Sequence, residues 1–312
     1  MALYLVSGGA GFIGSHLVEE LIARGEKVRV LDNFSTGKRR NLEPWLDRIE
    51  LIEGSVEDRE ICKNSVQGVE VVLHQAAVCS VPRSVENPLA TNATNVTGTL
   101  NLLWACREAG VRRFVCAGSS SVYGDSEVLP KVETMTPKPC SPYAVSKLVK
   151  EHYCIVFCRL YGLETVVLRY FNVYGSRQDA DSAYAAVIPS FVQALIRGGR
   201  AKIYGDGEQS RDFTYVRDCV QANLLACQEV RAVGEVFNIA SGRRTTINDL
   251  YDRIADLLGS GDRATYETPR RGDVRHSLAD IGKAKRLLGY DPVYTIDQGL
   301  GEAIRWYGRH LS

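Results

Sequence analysis

A doubly wound parallel α/β sheet is the fold that this sequence predicts, on three observations. Short β-branched runs alternate with helical stretches over the first 170 residues, a glycine-rich turn follows the first run, and an acidic residue closes the second. The first run, 3–7, leads into Gly8-Gly9-Ala10-Gly11-Phe12-Ile13-Gly14 and a helical pattern over 12–24. Further strands are expected at 27–31, 49–52, 71–73, 114–116 and 165–168, and further helices at 88–109 and 142–161. Strands that alternate with helices imply right-handed crossovers, which cover both faces of the sheet. Beyond residue 170 glycine and proline become frequent (Gly175, Pro189, Gly198, Gly199, Gly205, Gly207), with helices expected over 186–197 and 216–227. A β-branched run at 236–239 reads as a late return to the sheet. The expected division is a dinucleotide-binding domain of 1–170 plus about 213–240, and a smaller α/β substrate lobe of interleaved segments, about 171–212 plus 241–312.

The totals narrow the function classes. The 312 residues are 45% hydrophobic and 24% charged, with 28 Gly and 10 Pro, an ordinary globular composition. Lys and Arg number 38 against 37 Asp and Glu, for a net charge of +1, so no broad basic face for nucleic acid is expected. No run approaches 18 apolar residues, so no membrane-spanning helix is expected. The chain starts on a strand-like segment with no charged leader, and its nine scattered cysteines read as reduced thiols, so a cytoplasmic setting is expected. Cys154 and Cys158 share a helix face, but no histidine–cysteine set with zinc spacing accompanies them, and no metal is expected.

The glycine turn carries the first chemistry. Glycine allows the tight turn and lets the backbone approach a pyrophosphate, and the helix N-terminus offers unpaired N–H groups to the phosphates. Asp32 follows Gly14 by 18 residues, where a carboxylate accepts the adenosine ribose hydroxyls and repels a 2′-phosphate, so NAD is expected over NADP. Ser141-Pro142-Tyr143-Ala144-Val145-Ser146-Lys147 places a capping serine and a first-turn proline on a helix. Tyr143 and Lys147, four apart, share a face, an arrangement in which an ammonium stabilises a phenolate and lowers its pKa for general-base work. The hydroxyls of Ala117-Gly118-Ser119-Ser120-Ser121-Val122-Tyr123-Gly124 follow the fifth expected strand, at the sheet edge that faces ligands, where they can bridge a substrate oxygen to the tyrosine.

These elements, in this order, resemble the extended short-chain dehydrogenase/reductase family, and within it the nucleotide-sugar epimerases and dehydratases. Further matching stretches are Asp32-Asn33-Phe34-Ser35-Thr36-Gly37, His74-Gln75-Ala76-Ala77, Arg169-Tyr170-Phe171-Asn172-Val173-Tyr174-Gly175, Gly205-Asp206-Gly207 and Ser210-Arg211-Asp212-Phe213. The resemblance implies NAD contacts from Gly8, Gly11, Phe12, Ile13 and Gly14, from Asp32, Asn33, Ser35, Thr36 and Gly37, and from Gln75, Ala76, Ala77 and Thr94. Tyr143, Lys147, Tyr170 and Val173 complete that set. At Ser55 and Val56, also expected on the cofactor, the family usually carries an aspartate facing the adenine.

Dehydratases of the family use an Asp-Glu pair before the Val-Tyr-Gly, whereas this chain has Ser120 and Ser121 there, hydroxyls that do not readily do that acid–base work. The resemblance therefore implies a 4-epimerase, closest to bacterial UDP-N-acetylglucosamine 4-epimerases. Tyr143, Lys147, Ser119 and Ser121 would be its catalytic residues, working through a 4-keto intermediate and transient hydride transfer to tightly bound NAD. Alternatives are a UDP-glucose 4-epimerase without acetylated preference, another NAD-dependent nucleotide-sugar oxidoreductase or dehydratase, and an NAD-sensing module, which should have lost Tyr143 or Lys147. Arg211 and Arg270 match diphosphate-binding positions, Asp273 a uridine-ribose position and Asn172 the diphosphate–sugar region. Ser119, Ser120, Ser121, Tyr143, Ala186, Val187 and Tyr204 are further expected substrate contacts. Ser277, seven residues after Arg270, stands where epimerases restricted to glucose and galactose carry tyrosine, so room for an N-acetyl group is expected. By the same resemblance, helices 88–109 and 142–161 would pair two subunits into a homodimer.

Overall fold

The computed structural model describes residues 1–181, 185–261, 263–269 and 274–311. Strands β1 (Leu3–Ser7), β2 (Lys27–Asp32) and β3 (Ile49–Glu53) run outward in one direction, with helix α1 (Phe12–Ala23) between the first two and α2 (Arg59–Ser65) after the third. The chain then returns to place β4 (Val71–His74) on the other side of β1. From there it proceeds through α3 (Val81–Glu86), α4 (Pro88–Asn92), α5 (Gly98–Ala109), β5 (Arg113–Ala117), α6 (Pro142–Tyr161) and β6 (Glu164–Tyr170). A last strand, Val236–Ile239, closes the sheet beside β6, as the β-branched run at 236–239 implied. Every pairing in this seven-stranded sheet is parallel. The strand order reverses between β1 and β4, so their carboxyl ends, Ser7 and His74, flank a crevice between diverging loops.

Period-two alternation decides which side chains cover which face. Tyr4 and Val6 point into a core with Leu17, Val18 and Leu21 of α1, while Leu5 between them packs on the opposite face with Leu102, Leu103 and Phe157 of α5 and α6. Both faces are dry, which is why the strands read as continuous apolar runs.

The expected helix over 88–109 is not one regular helix. Between α4 and α5 the turn 93–97 widens to π-helical geometry. There the Asn95 side chain accepts from the Val78 N–H at 2.8 Å and donates to Ser146 Oγ at 2.9 Å. Such local widening is a common way to present a side chain that a regular helix would aim elsewhere. Helix α6, by contrast, spans the expected 142–161, with Ser141 Oγ capping the Ala144 N–H at 3.2 Å.

The rest of the chain is a smaller lobe. It contains three two-stranded ladders: β7 (Val173–Tyr174) with β10 (Thr214–Tyr215), β8 (Lys202–Tyr204) with β13 (Thr265–Glu267), and β9 (Ser210–Arg211) with β12 (Thr245–Thr246). Helices α7 (Val187–Ile196), α9 (Ile247–Leu258) and α10 (Ile296–His310) surround its core, and α8 (Val216–Gln228) and β11 (Val236–Ile239) lead back to the sheet. The cores do not divide where the chain does. Phe213, Tyr215 and Val216 pack in the small lobe, whereas Ala284, Leu288 and Tyr290 from near the C-terminus pack under the large sheet. Helices α9 and α10 are not among the elements expected from sequence, although Gly259 ends α9 and a Thr295–Gln298 capping box opens α10. Among the described residues no helix is long and apolar enough to cross a membrane.

Candidate active site

One cleft of about 1160 Å³ runs along the carboxyl edge of the sheet and between the two lobes. Its floor is the turn after β1. Gly8 has φ +73°, and a Cβ there would lie 2.7 Å from the Ala76 nitrogen, so strand-to-strand approach and backbone conformation both require glycine. A Cβ on Gly14 would overlap the Gly8 carbonyl oxygen and sit 2.8 Å from its carbon. No side chain caps α1, whose N-cap is Gly11 in an extended conformation, so the first-turn N–H groups lack a capping side chain at the cleft. Asp32, nearly buried, accepts from Ala10 N–H at 2.9 Å and Phe34 N–H at 2.8 Å. Burial raises its pKa, and those two backbone donors oppose the rise. A tight backbone cradle, uncapped helix N–H groups and a carboxylate at the end of β2 are the donor and acceptor set that a dinucleotide needs, and the residues present fit NAD.

The opposite wall carries the hydroxyls. The Tyr143 N–H donates to Ser84 Oγ at 3.0 Å and Ser146 Oγ donates to the Tyr143 carbonyl at 2.7 Å, so α3 and the widened turn at Asn95 both fix the start of α6. The Tyr143 phenol stands near Ser119 and Cys79, the two side chains that bear on its pKa. Ser121 Oγ donates to Ser119 Oγ at 2.9 Å, extending the chain of hydroxyls. Lys147, almost wholly buried, sends Nζ to the Ala117 carbonyl at 3.0 Å and lies 5.6 Å from the Tyr143 ring centroid. The expected lowering of the phenol pKa does not follow from this arrangement: burial, then the Cys79 thiol, push it up, and Ser119 opposes them. Burial of the phenol is the leading cause, and the Lys147 ammonium beside it is held by a main-chain carbonyl at the end of β5.

All the expected cofactor residues line this one cleft, from Gly8 to Val173, including Ser55, Val56, Gln75, Ala77, Thr94 and Tyr170. Ser119, Ser120, Ser121, Asn172, Ala186, Arg211 and Ser277 line it too. Val187 and Tyr204 do not. Val187 opens α7 and packs against the small-lobe core, and Tyr204 ends a strand on the far side of that lobe. Arg270 and Asp273 lie outside the described residues. A buried carboxylate knits the sugar-side wall together: Asp212 accepts from Ser241 N–H (2.9 Å) and Oγ (2.7 Å), Gly242 N–H (3.1 Å) and Ala279 N–H (3.2 Å). Burial raises its pKa to about 6 against those bonds. Arg211 donates to the Ser210 and Arg275 carbonyls at 3.0 and 3.2 Å, and Ser277 N–H donates to Ser210 O at 3.0 Å, so both sit on this platform.

The cleft also contains residues that sequence reasoning did not place there. His276 bonds Ser210 Oγ through Nδ1 at 2.9 Å, and its position beside Ser277 was the available signal. Cys79 lies at the carboxyl end of β4, where loop residues face ligands. Arg177, Gln178 and Asp179 arrive from the small lobe, and nothing local announces them.

Residues 4–240 match the model of the NAD dependent epimerase/dehydratase family. The chain is 41% identical to a crystal structure of UDP-glucose 4-epimerase with UDP-glucose from Thermotoga maritima, covering 99% of this chain and 100% of that one with a TM-score of 0.95. It is 40% identical, with 99% of each chain covered and the same TM-score, to UDP-N-acetylglucosamine 4-epimerase from Methanobrevibacter ruminantium in complex with UDP-N-acetylmuramic acid. UDP-glucose 4-epimerase of Mycolicibacterium smegmatis is 37% identical over 307 residues, 97% of either chain. A glycine cradle, an aspartate at the end of β2 and a tyrosine–lysine helix meet in one cleft, and the family match runs from the first strand to the last strand of the sheet. The chain therefore belongs to the NAD dependent epimerase/dehydratase family.

Proposed function

We propose that this enzyme reversibly epimerises UDP-hexoses at C4, interconverting UDP-N-acetylglucosamine with UDP-N-acetylgalactosamine and also turning over the non-acetylated pair. The observation that carries the reading is the cleft wall on which the Tyr143 phenol stands beside Ser119, itself hydrogen-bonded to Ser121, opposite the glycine cradle and with no carboxylate at 120 or 121. Bound NAD supplies a hydride acceptor, and later donor, at the sugar C4. In this reading Tyr143, as the phenolate, would take the C4 hydroxyl proton as the hydride leaves C4, and would return it to O4 once the hydride has come back to the other face of C4. Ser119, backed by Ser121, holds O4, and Lys147 fixes the local charge next to the ring. Ser120 contributes to the same wall. Arg211 grips the diphosphate with a planar guanidinium while the 4-keto sugar turns, and Asn172 and Ala186 bound that space. Ser277 leaves room for the N-acetyl group, as a tyrosine there would not. The 1–170 and 213–240 segments serve NAD and the remaining segments serve the UDP-sugar.

Epimerisation is favoured over dehydration because that reaction needs an acid at C6 and a base at C5, and a serine hydroxyl is a poor group for either role. The sequence similarity to UDP-sugar 4-epimerases supports the same choice. The free thiols of all nine cysteines fit a reducing, cytoplasmic setting. Exposed Leu89 on α4 and Val156 and Leu160 on α6 support a homodimer, expected as twice the 34.5 kDa chain mass in light scattering.

The test is incubation with UDP-glucose, UDP-galactose and their N-acetylamino forms, followed by chromatographic separation. Epimer formation without net NADH release is expected. Net reduction of cofactor, or loss of water from the sugar, would defeat the reading. Tyr143→Phe should keep the fold and cofactor and lose turnover by roughly 100- to 10,000-fold.

A further inference from the structure

A strap from the small lobe crosses the nucleotide cleft and is fastened to the cofactor half at several points. It follows β7 and spans 176–181. Arg177 adopts φ +64°, a conformation that side-chain-bearing residues adopt rarely, and the conformation is held by the contacts of that side chain. Its guanidinium pairs with Glu19 on α1, donates to His16 Nδ1 at 3.2 Å and lies 5.3 Å over the Trp45 ring. His16 in turn donates from Nε2 to the Ser176 carbonyl at 3.0 Å. Two residues on, Asp179 Oδ1 takes the Lys38 ammonium at 2.6 Å. Lys38 belongs to the adenosine end of the cleft: its N–H bonds the Ala10 carbonyl at 3.0 Å, and the Ala10 N–H is the one that Asp32 holds. Tyr307 of α10 anchors the other side by donating to the Gln178 carbonyl at 2.8 Å.

Arg177, Gln178, Asp179 and Lys38 all line the cleft, and two buried polar atoms of the strap, Arg177 Nη1 and Gln178 Oε1, have no partner among the described residues. Both atoms are covered by the protein itself, so the strap is packed down on its neighbours. We infer that the strap is a clasp over bound NAD: Arg177 and Asp179 are positioning residues that fasten the small lobe to the cofactor half across the cleft that they line. The clasp rests on the reading of this cleft as an NAD site. Its consequence is retention, because the dinucleotide leaves only after both fastenings open, so one cofactor molecule serves many turnovers.

The experiment measures dissociation of NAD from the holoprotein by exchange against labelled NAD, independently of any sugar. Asp179→Asn is expected to speed release by roughly 1.5-fold to fivefold, the range for a partly exposed ion pair with one partner removed. Arg177→Ala should exceed it, since that side chain makes three of the fastenings. Raising salt to roughly 1 M should speed release from the parent protein more than from Asp179→Asn, in which one of the two ion pairs of the clasp is already gone. The charge swap Lys38→Asp with Asp179→Lys should recover retention lost in either single variant, which a merely structural role for either residue would not produce. Release from Asp179→Asn at the parent rate, or a swap no better than its single variants, overturns the clasp while leaving the NAD site intact. A protein that takes up no NAD at all overturns both.

Discussion

The two walls of the cleft are built by different means. The glycine turn is one continuous stretch of chain, residues 8–14, whose backbone touches backbone: Gly8 against Ala76, Gly14 against Gly8 and Gly9. The opposite wall is assembled from at least five separated pieces, at 119–121, 143, 172, 211 and 276–277, of which 211 and 276–277 lie beside Asp212, a single carboxylate that takes four hydrogen bonds from Ser241, Gly242 and Ala279. Backbone packing tolerates no added atom, whereas a wall of side chains on a hydrogen-bonded platform can exchange a small residue for a larger one and alter what fits. The difference teaches that substitutions in the glycine turn meet a steric limit that substitutions on the opposite wall do not.

The comparison is broken most severely at Gly14. Gly14→Ala forces a methyl group into the Gly8 carbonyl with no flexible side chain to yield, so the turn itself must move. The expected cost is roughly 3 kcal/mol, at the upper end for overpacking, together with loss of copurifying NAD. Urea unfolding and the nucleotide content of the purified protein report the two effects separately. An alanine variant that keeps both NAD and stability would show that the turn relaxes as readily as the opposite wall.

The same contrast decides what was legible in the sequence. The glycine turn, Asp32 and the Tyr143–Lys147 helix were readable because each lies within a few residues of chain whose local geometry dictates its use, and helix α6 spans the expected residues because serine cap and proline mark its start. The interruption at 93–97 was not readable, since its cause is a bond from Asn95 to Ser146, 51 positions away. Nor was the strap, whose fastenings to Glu19 and Lys38 span more than 140 positions. Nor was the burial that raises the Tyr143 pKa, although spacing places Lys147 on the expected face beside its ring. Val187 was displaced by the lobe core, which exists only once α7, α9 and α10 come together.

On the opposite wall a graded response is expected where the glycine turn gives collapse. Ser277 hangs on the Ser210 carbonyl and faces the cleft, so Ser277→Tyr fills the space beside the sugar without disturbing the Asp212 platform. Turnover of UDP-N-acetylglucosamine should fall by roughly tenfold to 200-fold in kcat/KM while UDP-galactose is largely spared, the usual range for a steric change in a pocket. Stability should move by less than in Gly14→Ala. Equal losses on both sugars would remove Ser277 as the sizing residue and return the selectivity question to Ala186, His276 and their neighbours.

The smallest effect reads the seam between the two halves. His16 is nearly buried, and burial first, then the nearby Arg177 charge, lower its pKa to about 3 from the ordinary 6.5, against the Ser176 carbonyl that favours the cation. It is therefore neutral in the folded protein and accepts from Arg177. Below pH 6.5 the unfolded chain binds a proton at this residue that the folded chain refuses, so stability falls as pH drops towards about 3, by at most about 1.4 kcal/mol per pH unit. His74, buried between Ser7 and Thr99, is lowered for the same leading reason and adds slope of the same sign. Asp212 works the other way: with its pKa raised to about 6, the folded protein binds the proton first, and stability rises as pH drops from 6 towards 4. Because the three overlap, the measurement is a difference. Urea unfolding of the parent and of His16→Gln at pH 7, 6 and 5 should converge towards acid pH, the variant having lost one proton's worth of slope. Parallel curves would mean that His16 is protonated in the folded seam, and the neutral contact with Arg177 would be wrong.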